Sequence, residues 1–260
     1  MNEQFSGEER QVVQHPGPTI DGAPVSYVVT AATIVLALAF VPLSVVITSG
    51  RGFPLSQSIY PLMGWLLGPV AGALADGIGA LGGVILAPHT TTNALATVLG
   101  AALGGLAAGA MTIEKKRRWW WLPLLAFFLV AYALYGVRAV MQNGAAWRAV
   151  LFGSFINWSA LLLFALPTRR WVALGLQSAD LKRLGAALFL GTWIAAGLTH
   201  LSTATVVYFI SNWPNEAWLA FAPLAPVEHL LRSLVGTVIG TGVITGLRAT
   251  GLVKPRHALY

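Results

Sequence analysis

The side chains that could do chemistry in this chain are a few polar groups set inside long apolar stretches. Asp76, His200 and Arg232 are ionisable, and Asn157 carries a hydrogen-bonding amide. Ionisable groups at membrane depth are costly and usually serve a function. An arginine there suits a carboxylate or a phosphate, because its planar guanidinium can form two parallel hydrogen bonds with such a group. These residue types favour recognition of a small polar molecule.

Catalytic motifs, in contrast, are absent from the sequence. It contains no H-E-x-x-H zinc motif, no G-x-S-x-G elbow, no Walker phosphate loop and no cysteine. His200 lies deep in its apolar run and His229 lies near the start of the next, so their predicted depths differ by roughly 12 Å at ~1.5 Å of rise per residue. Two histidine ligands to one metal or haem are not expected at that separation. We therefore expect neither an enzyme nor a cofactor.

The candidate ligand site lies at the outward ends of the runs, where hydrogen-bonding side chains gather beside the loop 89–93. Trp193 supplies an aromatic face on which a flat ligand could stack, and Arg232 supplies a positive charge. Such sites are mostly apolar with a few placed polar groups. The candidate substrate-binding residues are His89, Asn93, Asn157, Trp193, His200, Glu228 and Arg232.

Several candidates also have a structural interpretation that the sequence leaves open. Asn93 is an ordinary helix N-cap, and His200 could simply bond a neighbouring carbonyl. Asp76 and Arg232 could neutralise each other across a helix pair, while Glu228 and Arg232 are spaced to pair on one helix face. We expect Asp76 to hold helices together one layer below the ligand.

The composition indicates the class of protein that positions these side chains. Hydrophobic residues make up 56% and charged residues 10% of the 260 residues, whereas soluble domains carry about 25% charged residues. The net charge is +7, but the basic residues lie at the ends of apolar runs, where they set topology. No nucleic-acid partner is therefore expected. We interpret 1–25 as a mobile polar cytoplasmic tail, 26–253 as one transmembrane domain and 254–260 as a second cytoplasmic tail.

The apolar runs predict an all-α, polytopic membrane protein with about six to eight transmembrane helices in contact with lipid. One long stretch, 56–87, is broken at Gly68 and Pro69, because proline lacks the N–H that continues a helix. Its second half is rich in glycine and alanine, which lets neighbouring backbones approach closely. A re-entrant hairpin at 56–87, leaving six full spans, is the alternative. The runs fall at about 26–49, 56–67, 69–87, 91–112, 119–141, 146–167, 183–211 and 226–250.

The placement of lysine and arginine predicts the orientation. With eight segments and a cytoplasmic N-terminus, twelve of the sixteen basic side chains fall on the inner side, among them the cluster 115–118. Such an excess is the usual sign of a cytoplasmic face. We therefore expect a multi-pass protein of the cytoplasmic membrane with both termini inside.

Two segments resemble the substrate-binding S components of energy-coupling factor vitamin transporters. The stretch 64–69, GWLLGP, and the small-residue stretch 70–76 resemble the short second helix that ends at Gly-Pro and the third helix that follows it. The stretch 226–232, PVEHLLR, leads into a glycine-bearing last helix and a basic tail, as in that family. The resemblance covers about half of the chain. The first run lacks the family's Ala-x-x-x-Ala spacing, and 119–167 resembles an added helix pair.

The resemblance implies a subunit that captures a small, vitamin-like molecule from the outward face and passes it inward. A transmembrane coupling subunit and ATP-binding subunits would supply the energy, and this chain would hydrolyse nothing. A structural or accessory subunit of a larger membrane complex is the alternative function. Binding of a ligand to the isolated protein distinguishes the two.

Overall fold

The structure, a computed structural model, describes residues 17–46, 51–91, 93–114, 116–250 and 252–260. These residues form a helical bundle, so the all-α prediction is confirmed. The ten α-helices of the described residues are α1 (Val25–Ala39), α2 (Tyr60–Leu67), α3 (Pro69–Leu86), α4 (Ala94–Gly109), α5 (Trp121–Val137), α6 (Trp147–Gly153), α7 (Phe155–Ala165), α8 (Thr168–Leu176), α9 (Leu181–Ser211) and α10 (Asn215–Ala249).

Two small antiparallel hairpins flank α1. The strands β1 (Thr19–Ile20) and β2 (Ala23–Pro24) pair before it, and the strands β3 (Pro42–Val46) and β4 (Arg51–Pro54) pair after it. A 3-10 turn, Leu55–Ser58, then leads from β4 into α2. The strands β3 and β4 and this turn therefore lie in the connection between the first two helices. Residues 1–16 of the predicted mobile tail lie outside the described residues.

The predicted break at Gly68 and Pro69 is confirmed. Gly68 has φ 92° and ψ 173°, and it ends α2 and precedes α3. This backbone region is essentially restricted to glycine, so the chain can reverse here between two helices. A Cβ added to Gly72 would lie 2.6 Å from the Cα atom of Gly64. α2 and α3 thus form a helical hairpin with nearly touching backbones.

Small residues hold α3 against its other neighbours, as the composition of this segment predicts. A Cβ on Gly79 would lie 2.6 Å from the carbonyl oxygen of Ala32 on α1, and a Cβ on Gly83 would lie 2.8 Å from the Cβ atom of Ala39. On α4, Gly109 lies against the backbone of Pro69. Close approach without side chains between the helices is the usual way in which small residues pack membrane helices.

Helix lengths support fewer full spans than the apolar runs predict. Within the described residues, four helices are long and apolar enough to cross a membrane: α3, α5 with the π-turn after it, α9 and α10. The number is five if α6 and α7, which are bent by 65°, count as one span. α1 and α4 are apolar but shorter, and α2 has only 8 residues. A multi-pass helical architecture therefore holds, whereas the predicted count of six to eight spans is not confirmed.

The segment 119–167 is packed into the bundle. α5 and α7 contact α9, while α6 contacts α10. α10 begins at Asn215, well before the predicted start at 226, and continues through Pro223 and Pro226. α9 and α10 have 31 and 35 residues, so each is longer than the about 20 residues that a bilayer core requires.

The end of the chain closes the side of the bundle where the α2–α3 reversal lies. Pro69 has no N–H to bond the carbonyl of Trp65, and the Leu259 N–H donates to that carbonyl instead, at 2.7 Å. The Cβ atom of His257 lies 2.8 Å from where a Cβ of Gly68 would be. The predicted cytoplasmic tail is thus a packed segment that completes the helix break.

Ionic contacts also join segments at the side of the bundle where α2 and α3 meet. The Arg117 guanidinium donates two hydrogen bonds to the Asp21 carboxylate, and these bonds lower the pKa of Asp21 below its usual value. His257 Nδ1 lies 3.0 Å from a carboxylate oxygen of Glu114. The β1–β2 hairpin, the α4–α5 connection and the chain end are therefore joined through charged side chains.

Candidate ligand-binding site

Asn157 on α7 is the centre of a buried hydrogen-bonded chain across three helices. Its amide nitrogen donates to the hydroxyl of Tyr135 on α5 at 3.0 Å. Its amide oxygen therefore faces Nδ1 of His200 on α9, at 2.8 Å. Because that oxygen can only accept, we assign the imidazole proton of His200 to Nδ1. Two predicted site residues, Asn157 and His200, are thus brought into direct contact.

His229 on α10 lies beside His200, which corrects the predicted difference in depth. The two ring centroids are 5.2 Å apart and the rings are nearly perpendicular. Measured from Arg183 on α9 and Arg248 on α10, the two histidines lie about 26 Å and about 28 Å along their helices. The prediction was wrong because it started the last helix at 226, although the helix continues through its two prolines from Asn215.

Trp193 forms an aromatic wall on the same side of α9. Its ring centroid is 6.2 Å from that of His229 and 6.4 Å from that of Phe155. Its indole Nε1–H donates to the Ser159 hydroxyl at 3.4 Å. Arg232 lies one turn from His229 on α10. The name polar cluster is used below for five residues: Asn157, Trp193, His200, His229 and Arg232.

Arg232 is the buried cation of the polar cluster. The residue is 2% exposed, and its guanidinium lies 3.9 Å from the Glu228 carboxylate, the i,i+4 pair that the spacing predicts. The guanidinium carbon also lies 4.2 Å from the ring centroid of Phe53, at the end of the β3–β4 hairpin. A side chain from the connection between α1 and α2 thus covers the cation.

Several buried polar atoms near Arg232 have no hydrogen-bond partner among the described residues. They are Nε and Nη2 of Arg232, Nε2 of His229, and the hydroxyls of Ser58 and Ser233. The backbone carbonyl of Ser58 lies against Gly236 of α10, so the turn after β4 reaches the helix that carries the other four atoms. Buried polar groups normally have partners, and leaving one unpaired costs about 1–3 kcal/mol.

Asp76 is separate from Arg232. No ion pair joins the two in the part of the chain that the structure describes, and both carboxylate oxygens of Asp76 are buried without a hydrogen-bond partner there. The carboxylate lies against Gly105, at the contact between α3 and α4. Of the two structural roles considered for Asp76, neutralisation by Arg232 is not observed. The carboxylate therefore lies between two helices, and its predicted role in holding them together stays a prediction.

His89 and Asn93 are not brought to the polar cluster by any contact of the described residues. The Asn93 side chain accepts a hydrogen bond from the Ala96 N–H at 2.9 Å, so its interpretation as a helix N-cap is confirmed. His89 is exposed in a 3-10 turn under β4. The Thr203 hydroxyl reaches the Ala96 carbonyl at 3.3 Å. The start of α4 therefore lies beyond His200, toward the end of α9.

The predicted site residues do not include four residues of this region, which are Phe53, Ser58, Tyr135 and His229. Phe53 and Ser58 belong to a connection whose path between the helices has no periodic signal. Tyr135 is one of several aromatic residues in an apolar run, and nothing local distinguishes it. Only Asn157, as a lone amide opposite an aromatic run, could have suggested that one tyrosine bonds it.

Comparisons of the chain with protein-family models, with curated proteins and with solved structures find no match.

Proposed function

We propose that this protein is the membrane-embedded capture subunit of a small-molecule importer. The ligand binds in the half of the bundle opposite the basic segments, which the excess of positive charge makes the outward half. Partner coupling and ATP-binding subunits supply the energy, as the resemblance to S components implies. The single observation that supports this proposal best is the buried Arg232 guanidinium, whose Nε and Nη2 have no partner among the described residues.

The chemistry of the polar cluster favours an anionic ligand with a flat apolar part. A desolvated guanidinium is stabilised by bidentate hydrogen bonds to a carboxylate or a phosphate. Glu228 lies at 3.9 Å, beyond hydrogen-bond distance, so it only partly offsets the charge. Trp193 and His229, whose rings are 6.2 Å apart, add aromatic faces to the polar cluster. A vitamin-like acid fits these groups better than an inorganic ion does.

Phe53 of β4 is the proposed cover of this site. Its ring lies over the face of the Arg232 guanidinium. The N–H donors of a guanidinium lie in its plane, so an anion can bind them edge-on while the ring keeps water from the face.

Binding to variants of the purified protein tests the proposal. Mass spectrometry first identifies small molecules that co-purify, and the identified molecule is then titrated. Arg232→Met keeps the length of the side chain and removes the charged donors, so we expect binding to weaken by about 10-fold to 100-fold, the equivalent of ~1.5–3 kcal/mol. Arg148→Met is the matched control, because Arg148 is an exposed arginine that lies over the Trp147 ring.

Two results would contradict the proposal. The site is wrong if Arg232→Met and Arg148→Met bind the ligand equally well while both remain folded. The function is wrong if no small molecule co-purifies and the protein instead retains other membrane subunits without any ATP-binding partner, which is the behaviour of an accessory subunit.

A further inference from the structure

An apolar groove extends from the chain end toward Ile59, and none of its walls belongs to the polar cluster. It lies between α1, α2, α10 and the chain end, and has a volume of about 340 Å³. Its walls include Ile34 and Leu38 of α1, Leu66 of α2 and Val243 of α10. All these helices belong to the bundle, so the groove opens toward lipid along their outer faces.

The groove has the length of one bilayer leaflet. Along α1 it extends from Tyr27 to Leu38, which corresponds to about 16 Å at helical rise. The hydrocarbon core of a bilayer is roughly 30 Å thick, so the groove covers about half of it. Its polar wall residues, Tyr27, Thr30 and Tyr260, lie at the end next to the basic chain terminus. Tyrosines at that level are typical of the membrane interface.

Hydrocarbon suits such a space better than water does. An apolar cavity of ~150 Å³ stays dry and accepts benzene, and the groove is more than twice that size. Water would find almost no hydrogen-bond partners on these walls. The space therefore favours a chain of methylene groups.

Positive charge lies at the polar end of the groove. Lys254 donates to the main-chain oxygen of Tyr260, and its amine lies 4.9 Å from the centroid of the Tyr260 ring, which is a groove wall. Burial and the neighbouring charge of Arg248 lower the pKa of Lys254. An anion placed there would offset both effects. Anionic headgroups occur at this level of a membrane, one leaflet thickness from its centre.

We propose that this groove holds one acyl chain of an anionic phospholipid from the leaflet next to the basic segments, with the phosphate at Lys254. The apolar walls bind the chain, the two tyrosines contact the glycerol region, and the lysine selects the charged headgroup. This lipid site goes beyond the proposed function and does not depend on it.

Native mass spectrometry of the full chain tests the site with two lipids, palmitoyl-oleoyl phosphatidylglycerol and palmitoyl-oleoyl phosphatidylcholine. Thr30→Trp and Ile34→Trp fill the groove from its exposed wall, and we expect each to reduce retention of phosphatidylglycerol at least 10-fold. Ala37→Trp is the matched control, since Ala37 is exposed on the same helix and is not a groove wall. Lys254→Gln is expected to abolish the preference for phosphatidylglycerol, and Lys182→Gln, at another basic helix end, to leave it unchanged.

The outcomes separate the possible occupants. Unchanged retention of phosphatidylglycerol in folded Thr30→Trp and Ile34→Trp would overturn the site. Equal retention of both lipids by the unmodified protein would overturn the headgroup assignment. A dimer that Thr30→Trp dissociates would show that a second copy occupies the groove, and the lipid proposal would fail. None of these readouts uses the small-molecule ligand of the polar cluster.

Discussion

At the scale of single residues, the buried amide of Asn157 organises the region around the polar cluster. Its nitrogen donates a hydrogen bond to the hydroxyl of Tyr135, and its oxygen accepts the proton that His200 carries on Nδ1. With the proton on Nδ1, that imidazole carries its lone pair on Nε2. An asparagine in this place determines which groups of its neighbours remain available to a ligand.

Replacing Asn157 by leucine should destabilise the protein by about 2 kcal/mol or more, because the buried Tyr135 hydroxyl and the half-buried His200 imidazole lose their hydrogen bonds at once. Unfolding in mixed detergent micelles, followed by circular dichroism, measures the free energy. Ser202→Ala is the control, since the Ser202 hydroxyl is buried but bonds only the Leu198 carbonyl of its own helix. Equal losses for the two variants would show that the amide has no special role.

The residues of the candidate site were partly predictable from the sequence. Asn157, Trp193, His200 and Arg232 stood out as polar or aromatic groups in apolar runs, and the structure gathers them in one region. The depth of His229 could not be predicted, because prolines within α10 suggest a helix start that does not exist. Which tyrosine or phenylalanine contacts these groups depends on tertiary packing, and no local pattern encodes it.

At the scale of elements, the reversal between α2 and α3 shows both the reach and the limit of sequence reasoning. The break itself follows from proline chemistry, and it lies where it was predicted. The partner of the orphaned Trp65 carbonyl could not be predicted, since Leu259 comes from the far end of the chain. The sequence locates the missing helical hydrogen bond at Pro69, whereas only the fold shows which group donates to the Trp65 carbonyl instead.

Gly68→Ala should destabilise the protein by roughly 1–3 kcal/mol, because its φ of 92° and ψ of 173° strain any side chain. The added Cβ would also lie 2.8 Å from His257. Gly242→Ala in α10 is the matched control, since nothing lies within 4 Å of its Cβ position. Alanine is favoured over glycine in a helix by about 1 kcal/mol, so we expect Gly242→Ala to be neutral or stabilising. Thermal unfolding in detergent compares the two, and a Gly68→Ala variant as stable as the control would contradict the strain argument.

At the scale of the whole molecule, composition was sufficient for the class but not for the number of spans. Apolar runs 26–49 and 91–112 each look long enough to cross a membrane. The helices formed from them, α1 and α4, have only 15 and 16 residues, and the described residues next to them lie in turns and in the strand β3. Hydropathy registers apolar residues whether or not they are helical, so it overestimates helix length wherever an apolar connection lies between helices.

The orientation of the protein can be tested directly because the sequence contains no cysteine. Single cysteines at Lys116, Arg148, Lys182 and Glu216, all exposed, sample both ends of the bundle. In intact cells, a membrane-impermeant maleimide should label Arg148→Cys and Glu216→Cys but not Lys116→Cys or Lys182→Cys. Labelling of all four after permeabilisation is the control. Labelling of Lys182→Cys in intact cells would reverse the predicted orientation.

The hydrogen bond from Leu259 to Trp65 also sets an order for the assembly of the protein in the membrane. α2 and α3 are synthesised before Leu259, so the Trp65 carbonyl gains this partner only after α10 has been made. Until then the carbonyl needs water or another donor, because an unpaired carbonyl in hydrocarbon is costly. We expect a variant that is cut before His257 to lack this bond and to fold in lower yield.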